Sequence, residues 1–181
     1  MKQVRWHGRG GQGSFTIARL LGSAAVVYEG KKALAFPTFG PERRGAPVLG
    51  FTKVSDKKIN DRSQVDTCDY VVVLDETLID NNTSKGLRKS GCMIINTKNI
   101  NKYKEMFDCE VIGLDATSIA LKNIGRPITN TSMLGALIAK SKIISIKSAE
   151  KAIKSTLPKK LADKNLDALE EAYKSLVGER L

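Results

Sequence analysis

The sequence predicts an α/β protein, a Rossmann-like layered fold with a mostly parallel sheet and a helical C-terminal region. Three observations predict it. Tyr70-Val71-Val72-Val73-Leu74 is a continuous apolar run, as expected of a strand buried on both faces of a parallel sheet. Runs of this kind alternate with segments of helical periodicity, the pattern of a layered α/β domain. From Met133 onward the pattern is helical.

Taken in order, Gln3-Val4-Arg5-Trp6 is a short strand leading into Gly8-Arg9-Gly10-Gly11-Gln12-Gly13. A helix follows from about Ser14 towards Tyr28, with Ile17, Leu20, Leu21, Ala24 and Ala25 on one face and Gly30 as its stop. Ala33-Leu34-Ala35-Phe36 reads as a second strand halted by Pro37, and Val48 to Val54 as a third. Asp75 to Lys89 is predicted helical, Met93-Ile94-Ile95 is the next buried strand, and Val111-Ile112-Gly113-Leu114 another. A helix from about Ser118 to Asn123 comes next. Met133 to Ile138 would pack closely through its small residues. Ala149 to Thr156 and Ala162 to Val177 complete the chain as amphipathic helices separated near Pro158. Neither a repeat nor a low-complexity linker divides the chain, so residues 1–181 are expected to form a single domain.

Composition narrows the function. Hydrophobic residues make up 41% and charged residues 27% of the 181, the balance of an ordinary globular protein. No apolar run approaches the roughly 20 residues that span a bilayer, and the start Met1-Lys2-Gln3-Val4-Arg5-Trp6 lacks the apolar core of a signal peptide. A cytoplasmic location without membrane contact is expected. Cys68, Cys92 and Cys109 lie far apart in sequence, and His7 is the only histidine. An iron–sulfur cluster or structural zinc needs about four clustered ligands, which this inventory does not supply. Net charge is +11, but the excess is lysine without interleaved aromatic residues or a recognisable reading module. It is read as a solvated surface, with no nucleic-acid partner expected.

Gly8, Gly10 and Gly13 satisfy G-x-G-x-x-G between a strand and a helix. Such glycines let the backbone approach a ligand while the first-turn amides offer an anion site. A dinucleotide reader also needs a carboxylate at the end of its second strand to hold the ribose. Here that strand ends in Phe36-Pro37-Thr38, which weakens an NAD reading. Two readings stand, a tight turn alone or an anion site in which Arg9 adds charge-assisted contacts. His7 beside it reads more readily as a structural hydrogen-bonding residue than as a catalyst. The segment Phe39-Gly40-Pro41-Glu42-Arg43-Arg44-Gly45-Ala46-Pro47 offers two planar arginine forks for carboxylate or phosphate. It should sit at the same edge of the sheet as the glycine loop. An ion-paired surface turn is the competing reading.

Together, His7 to Gly13 and Phe36 to Pro47 resemble the gamma subunits of pyruvate:ferredoxin oxidoreductases. Asp69-Tyr70-Val71-Val72-Val73-Leu74-Asp75 resembles that family's central strand. Thr117-Ser118-Ile119-Ala120 and Asn130-Thr131-Ser132-Met133-Leu134-Gly135-Ala136 are similar to its later helices, in the same order. Glu42-Arg43-Arg44-Gly45 is more similar to the pyruvate or 2-oxoisovalerate branch than to the 2-oxoglutarate-type subunits, which tend to carry alanine at the place of Arg43. The resemblance implies a complex that decarboxylates a 2-oxoacid on thiamine diphosphate and Mg²⁺, reduces ferredoxin through iron–sulfur clusters and forms acyl-CoA. It implies alpha, beta and delta subunits as partners, with those cofactors bound outside this chain and no catalytic residue within it. If the chain contacts coenzyme A, Gly8, Arg9, Gly10, Gly11, Gln12, Gly13, Arg43 and Arg44 are the implied phosphate-reading groups. A free-standing NADP-binding protein is the alternative, with Arg43 or Arg44 reading the 2′-phosphate.

Overall fold

The computed structural model describes residues 1–38 and 45–178. In chain order these form β1 (Lys2–Arg9), α1 (Ser14–Glu29), β2 (Lys32–Pro37), β3 (Pro47–Ser55), β4 (Cys68–Val73), β5 (Leu87–Asn96), α2 (Asn101–Met106), β6 (Glu110–Leu114), α3 (Ala116–Ile124), α4 (Asn130–Ser141), α5 (Ile146–Thr156) and α6 (Lys159–Gly178). Most boundaries extend the sequence expectation by a residue or two. α1 ends at Gly30 in a left-handed backbone. Among the described residues no helix is long and apolar enough to cross a membrane.

The six strands lie in the order β2-β3-β1-β4-β5-β6. β1, β4, β5 and β6 are parallel, whereas β3 runs antiparallel to both β1 and β2. The sheet is therefore mostly parallel, as expected, but its order departs from a dinucleotide-binding sheet. There the second strand lies directly beside the first. Here β3 separates them, which moves the end of β2 about 10 Å from β1.

Alternation along β1 divides the molecule into two layers. Val4 and Trp6 enter the larger core, which α1, α3, α4, α5 and α6 cover. The Trp6 indole donates to Thr52 Oγ1 (3.1 Å), and the Thr52 hydroxyl donates on to the Ala18 carbonyl (3.0 Å). The buried polar groups are thus satisfied in series. Within this layer α4 is buried along nearly its whole length. Its small residues do allow close packing. A Cβ at Gly135 would lie 2.4 Å from the Leu169 carbonyl oxygen of α6.

The opposite face has a smaller core around Phe51, Val71, Val73, Met93, Ile95 and Tyr103, covered by α2 and by connecting segments. Two buried cations pin those segments to the sheet. Arg5 is 8% exposed and its Nη2 donates to the carbonyls of Thr83 (2.9 Å) and Lys85 (2.7 Å). Lys53 is fully buried, and its Nζ donates to the Asp61 carbonyl (3.2 Å) and carboxylate (2.7 Å).

The helix expected over Asp75 to Lys89 is replaced by a single 3₁₀ turn at Glu76–Leu78, further turns, and a β5 that begins at Leu87. The reason is competition for the backbone. Asp75 Oδ1 accepts from the Thr77 amide, and Asp80 Oδ1 accepts from the Asn82 amide and the Thr83 hydroxyl. Such local bonds favour turns. Arg5 then captures carbonyls that a helix ladder would have used. The short α2 was not anticipated.

Two predictions follow from this packing. Gly135→Ala should destabilise the protein by about 1–3 kcal/mol through overpacking, although alanine is the better helix former. Denaturant titration measures it. His7, largely buried, has its pKa lowered from 6.5 to about 4 by desolvation and then by the Arg5 charge, with Asp80 partly offsetting them. Between those two pH values the unfolded chain binds more protons than the folded one, so stability should fall as pH drops through that window. The full loss is about 3 kcal/mol. His7→Gln should flatten that part of the profile of urea midpoint against pH.

Candidate functional site

The carboxyl end of β1 turns into α1 through the glycine loop. The Gln12 amide donates to the Arg9 carbonyl (2.9 Å), and the Arg9 amide donates back to Gln12 Oε1 (2.7 Å). Gly13 begins α1 with φ 79°, and a Cβ there would meet Asn130 Nδ2 at 2.5 Å. Only glycine tolerates both the left-handed backbone and the contact. No side chain caps α1, and its first turn holds no acidic residue. Gly11, Gln12 and Gly13 therefore stand beside the positive end of the helix dipole.

The second predicted motif meets the first here. The Gly10 amide donates to the Ala46 carbonyl (2.8 Å), and the Gly45 amide donates to the Gly10 carbonyl (3.1 Å). Gly45 and Ala46 close the Pro-Glu-Arg-Arg segment, so its described flank lies against the glycine loop. Arg43 and Arg44 themselves lie outside the described residues.

Arg9 does not present an open fork. Its Nε donates to Asp75 Oδ2 (3.0 Å), its Nη2 to the Thr77 hydroxyl (2.8 Å) and its Nη1 to the Gly45 carbonyl (3.1 Å). Gln12 Nε2 donates to the same Asp75 oxygen (3.0 Å). Burial opposes ionisation of Asp75, yet the bonds from Thr77, Gln12 and Arg9 outweigh it and hold the carboxyl below its ordinary pKa. Asp75 is the bracing carboxylate of the loop, and spacing alone does not single it out. A dinucleotide fingerprint places the carboxylate after β2. The carboxylate that engages the loop follows β4 instead, and its signal was the abrupt charge ending Val71-Val72-Val73-Leu74.

Beyond Asp75 a cleft of about 470 Å³ opens outside the carboxyl ends of β4, β5 and β6, where open α/β sheets bind ligands. Asn96 organises its floor, donating to the Leu74 carbonyl (2.9 Å) and the Thr117 hydroxyl (3.0 Å). Glu76 accepts from the Thr97 hydroxyl (2.6 Å) and the Tyr103 hydroxyl (2.9 Å). Burial, then Glu76, pushes the Tyr103 pKa up to about 12. Asp115 accepts from the Ser118 amide at the start of α3 (2.9 Å). Among the described lining residues, Asp75, Glu76 and Asp115 face a single cation, Lys98, a balance that suits hydroxyl and amide groups better than phosphate. Among the described residues no three of His, Cys, Asp and Glu come together as a metal cage.

Asp75→Ala should leave Arg9 and Gln12 without their common acceptor. The expected cost is about 1.5–3 kcal/mol, with faster amide hydrogen exchange through Gly10 to Gly13.

The likeness of the chain to known proteins extends over its full length. It is 47% identical over 180 residues to pyruvate synthase subunit PorC of Methanocaldococcus jannaschii, covering 98% of each chain. It is 45% identical over 183 residues to the pyruvate/ketoisovalerate oxidoreductases common subunit gamma of Thermococcus litoralis, again covering 98% of each. The crystal structure of pyruvate oxidoreductase subunit PORC from Thermotoga maritima superposes with a TM-score of 0.85 at 36% identity, covering 96% of this chain and 95% of that one. The fold recurs in a 2-oxoglutarate:ferredoxin oxidoreductase from Magnetococcus marinus (TM-score 0.77, 19% identity), covering 98% of this chain and 31% of that longer chain. The family model of pyruvate ferredoxin/flavodoxin oxidoreductase matches residues 3–175, and the chain belongs to that family.

Proposed function

We propose that this chain is the gamma subunit of a multi-subunit pyruvate:ferredoxin oxidoreductase, in which it serves as a scaffold and contributes to coenzyme A binding. End-to-end similarity to pyruvate synthase subunits carries this reading. Several relatives are named as gamma subunits common to pyruvate and ketoisovalerate oxidoreductases. That sharing supports a division of labour in which the 2-oxoacid is selected elsewhere in the assembly. A gamma subunit serving a 2-oxoisovalerate enzyme is the second reading, and the same names favour it. The free-standing NADP reading loses its support to the intervening β3 and to the family assignment.

Among the described residues no three of His, Cys, Asp and Glu come together to hold an iron–sulfur cluster or metal, and we assign the clusters and the metal-bound thiamine diphosphate to the alpha, beta and delta partners. For coenzyme A the fit is to the backbone. The uncapped start of α1 and the amides of Gly11 and Gly13 suit a phosphate, whereas Arg9 is held by Asp75 and acts as a brace. Arg43 and Arg44 directly precede Gly45, whose amide donates to the Gly10 carbonyl of that loop. In the assembled complex, Arg43→Ala with Arg44→Ala should raise the KM for coenzyme A ten- to a hundredfold while thermal stability stays unchanged. This corresponds to about 1.5–3 kcal/mol for a lost charge-assisted contact. Steady-state kinetics with pyruvate and coenzyme A measures it. An unchanged KM in an intact complex would leave the segment as an ion-paired surface turn.

A further inference from the structure

On the face of the sheet away from the long helices, a second cavity of about 440 Å³ lies between β1, β3 and the segments that cover them. It is distinct from the carboxyl-end cleft, with which it shares no lining residue. We propose that it is a binding site for a small aliphatic carboxylate, with Arg5 and His7 holding the carboxylate group and half-buried Leu49 beside its short carbon chain.

Arg5 and His7 present donors only. Arg5 Nε donates to His7 Nε2 (3.1 Å), so the neutral imidazole carries its proton on Nδ1. Among the described residues no acceptor takes that proton, and none takes the protons of Arg5 Nη1. Both side chains line the cavity. A guanidinium that is 8% exposed, with one amino group unused, favours an anionic acceptor more strongly than a surface cation would.

The surroundings select the kind of anion. Arg5 and Lys85 line the cavity together with one carboxylate, Asp66, and the Asp80 carboxylate acts on His7 from outside that lining. Gln64 and Asn82 add amide groups that bind oxygen without adding charge. A phosphate dianion would face both Asp66 and the nearby Asp80, whereas a singly charged carboxylate meets less repulsion. Phe51 and Val65 are already buried, so half-buried Leu49 is the apolar lining residue that a short carbon chain would cover. The volume is within the range of small-molecule sites.

His7 is the only histidine in the chain, so its imidazole gives a single set of NMR signals that report on the site. The probe is n-butyrate, titrated into the full-length protein at constant ionic strength. The expected result is a saturable shift of the His7 signals and a rise of its pKa from about 4 towards 6.5, because the bound carboxylate stabilises the imidazolium. n-Butylamine at equal concentration should leave the signals unmoved. Leu49→Glu, at a half-buried position, should raise the His7 pKa without ligand and abolish the response to butyrate, with circular dichroism confirming the fold. Signals unmoved by butyrate would overturn the site. Equal, unsaturated shifts with butyrate, phosphate and chloride would show ionic screening alone and overturn it as well. The wild-type titration decides the matter even if the Leu49 variant does not fold.

Discussion

The structure depends on the position of β1 inside the sheet, flanked by antiparallel β3 and parallel β4, which requires both of its faces to be covered. On one face hydrophobic burial suffices, because Val4 and Trp6 meet α1 and the helices behind it. On the other face the strand contributes Gln3, Arg5 and His7, and coverage comes from irregular segments with few apolar residues. Arg5 and Lys53 resolve this by donating into the covering backbone. A buried cation without acceptors is far more costly than one with three, so each covering segment is held by the need to satisfy the charge beneath it.

That constraint also separates what the sequence discloses from what it conceals. Signals carried by neighbours in the chain were legible. The left-handed stop at Gly30, the strand–glycine–helix turn and the apolar run of β4 are decided within a few residues. The segment after Asp75 was not legible, because its competitor for backbone carbonyls, Arg5, lies about eighty positions away. The reversal of β3 belongs to the same class. Periodicity marks a strand but not its direction, and the short link after β2 returns the chain alongside it. Within the site, Gly8 to Gly13 announced themselves by spacing, whereas Asp75 gains its meaning only when β4 pairs beside β1 and brings it to Arg9.

The Asp75 brace changes how the glycine loop is to be understood. A loop with positive-φ glycines is costly to order, since glycine has the most conformational freedom to lose. Asp75 collects Arg9 and Gln12 on one oxygen, and Gly10 is doubly bonded to Gly45 and Ala46. The ordering is thereby met during folding and not at the moment of binding. A pre-organised loop leaves more of its interaction free energy available for a ligand or a neighbouring subunit.

The same economy extends to the carboxyl edge of the sheet. Its described donors and acceptors at the carboxyl edge are mostly committed to one another: Asn96 to Thr117, Glu76 to Thr97 and Tyr103, Asp115 to Ser118. Committed groups make poor proton shuttles but good supports, because moving one breaks bonds that nothing replaces. The depressed carboxyl pKa values of Asp75 and Asp115 point the same way, since each survives burial only through hydrogen bonds that favour its ionised form. A general acid or base needs a pKa near the working pH. Carboxylates held ionised, a tyrosine raised to about 12 and a histidine lowered to about 4 are all far from it. Held in this way, the described groups of the carboxyl edge form a frame of fixed charges and committed hydrogen bonds.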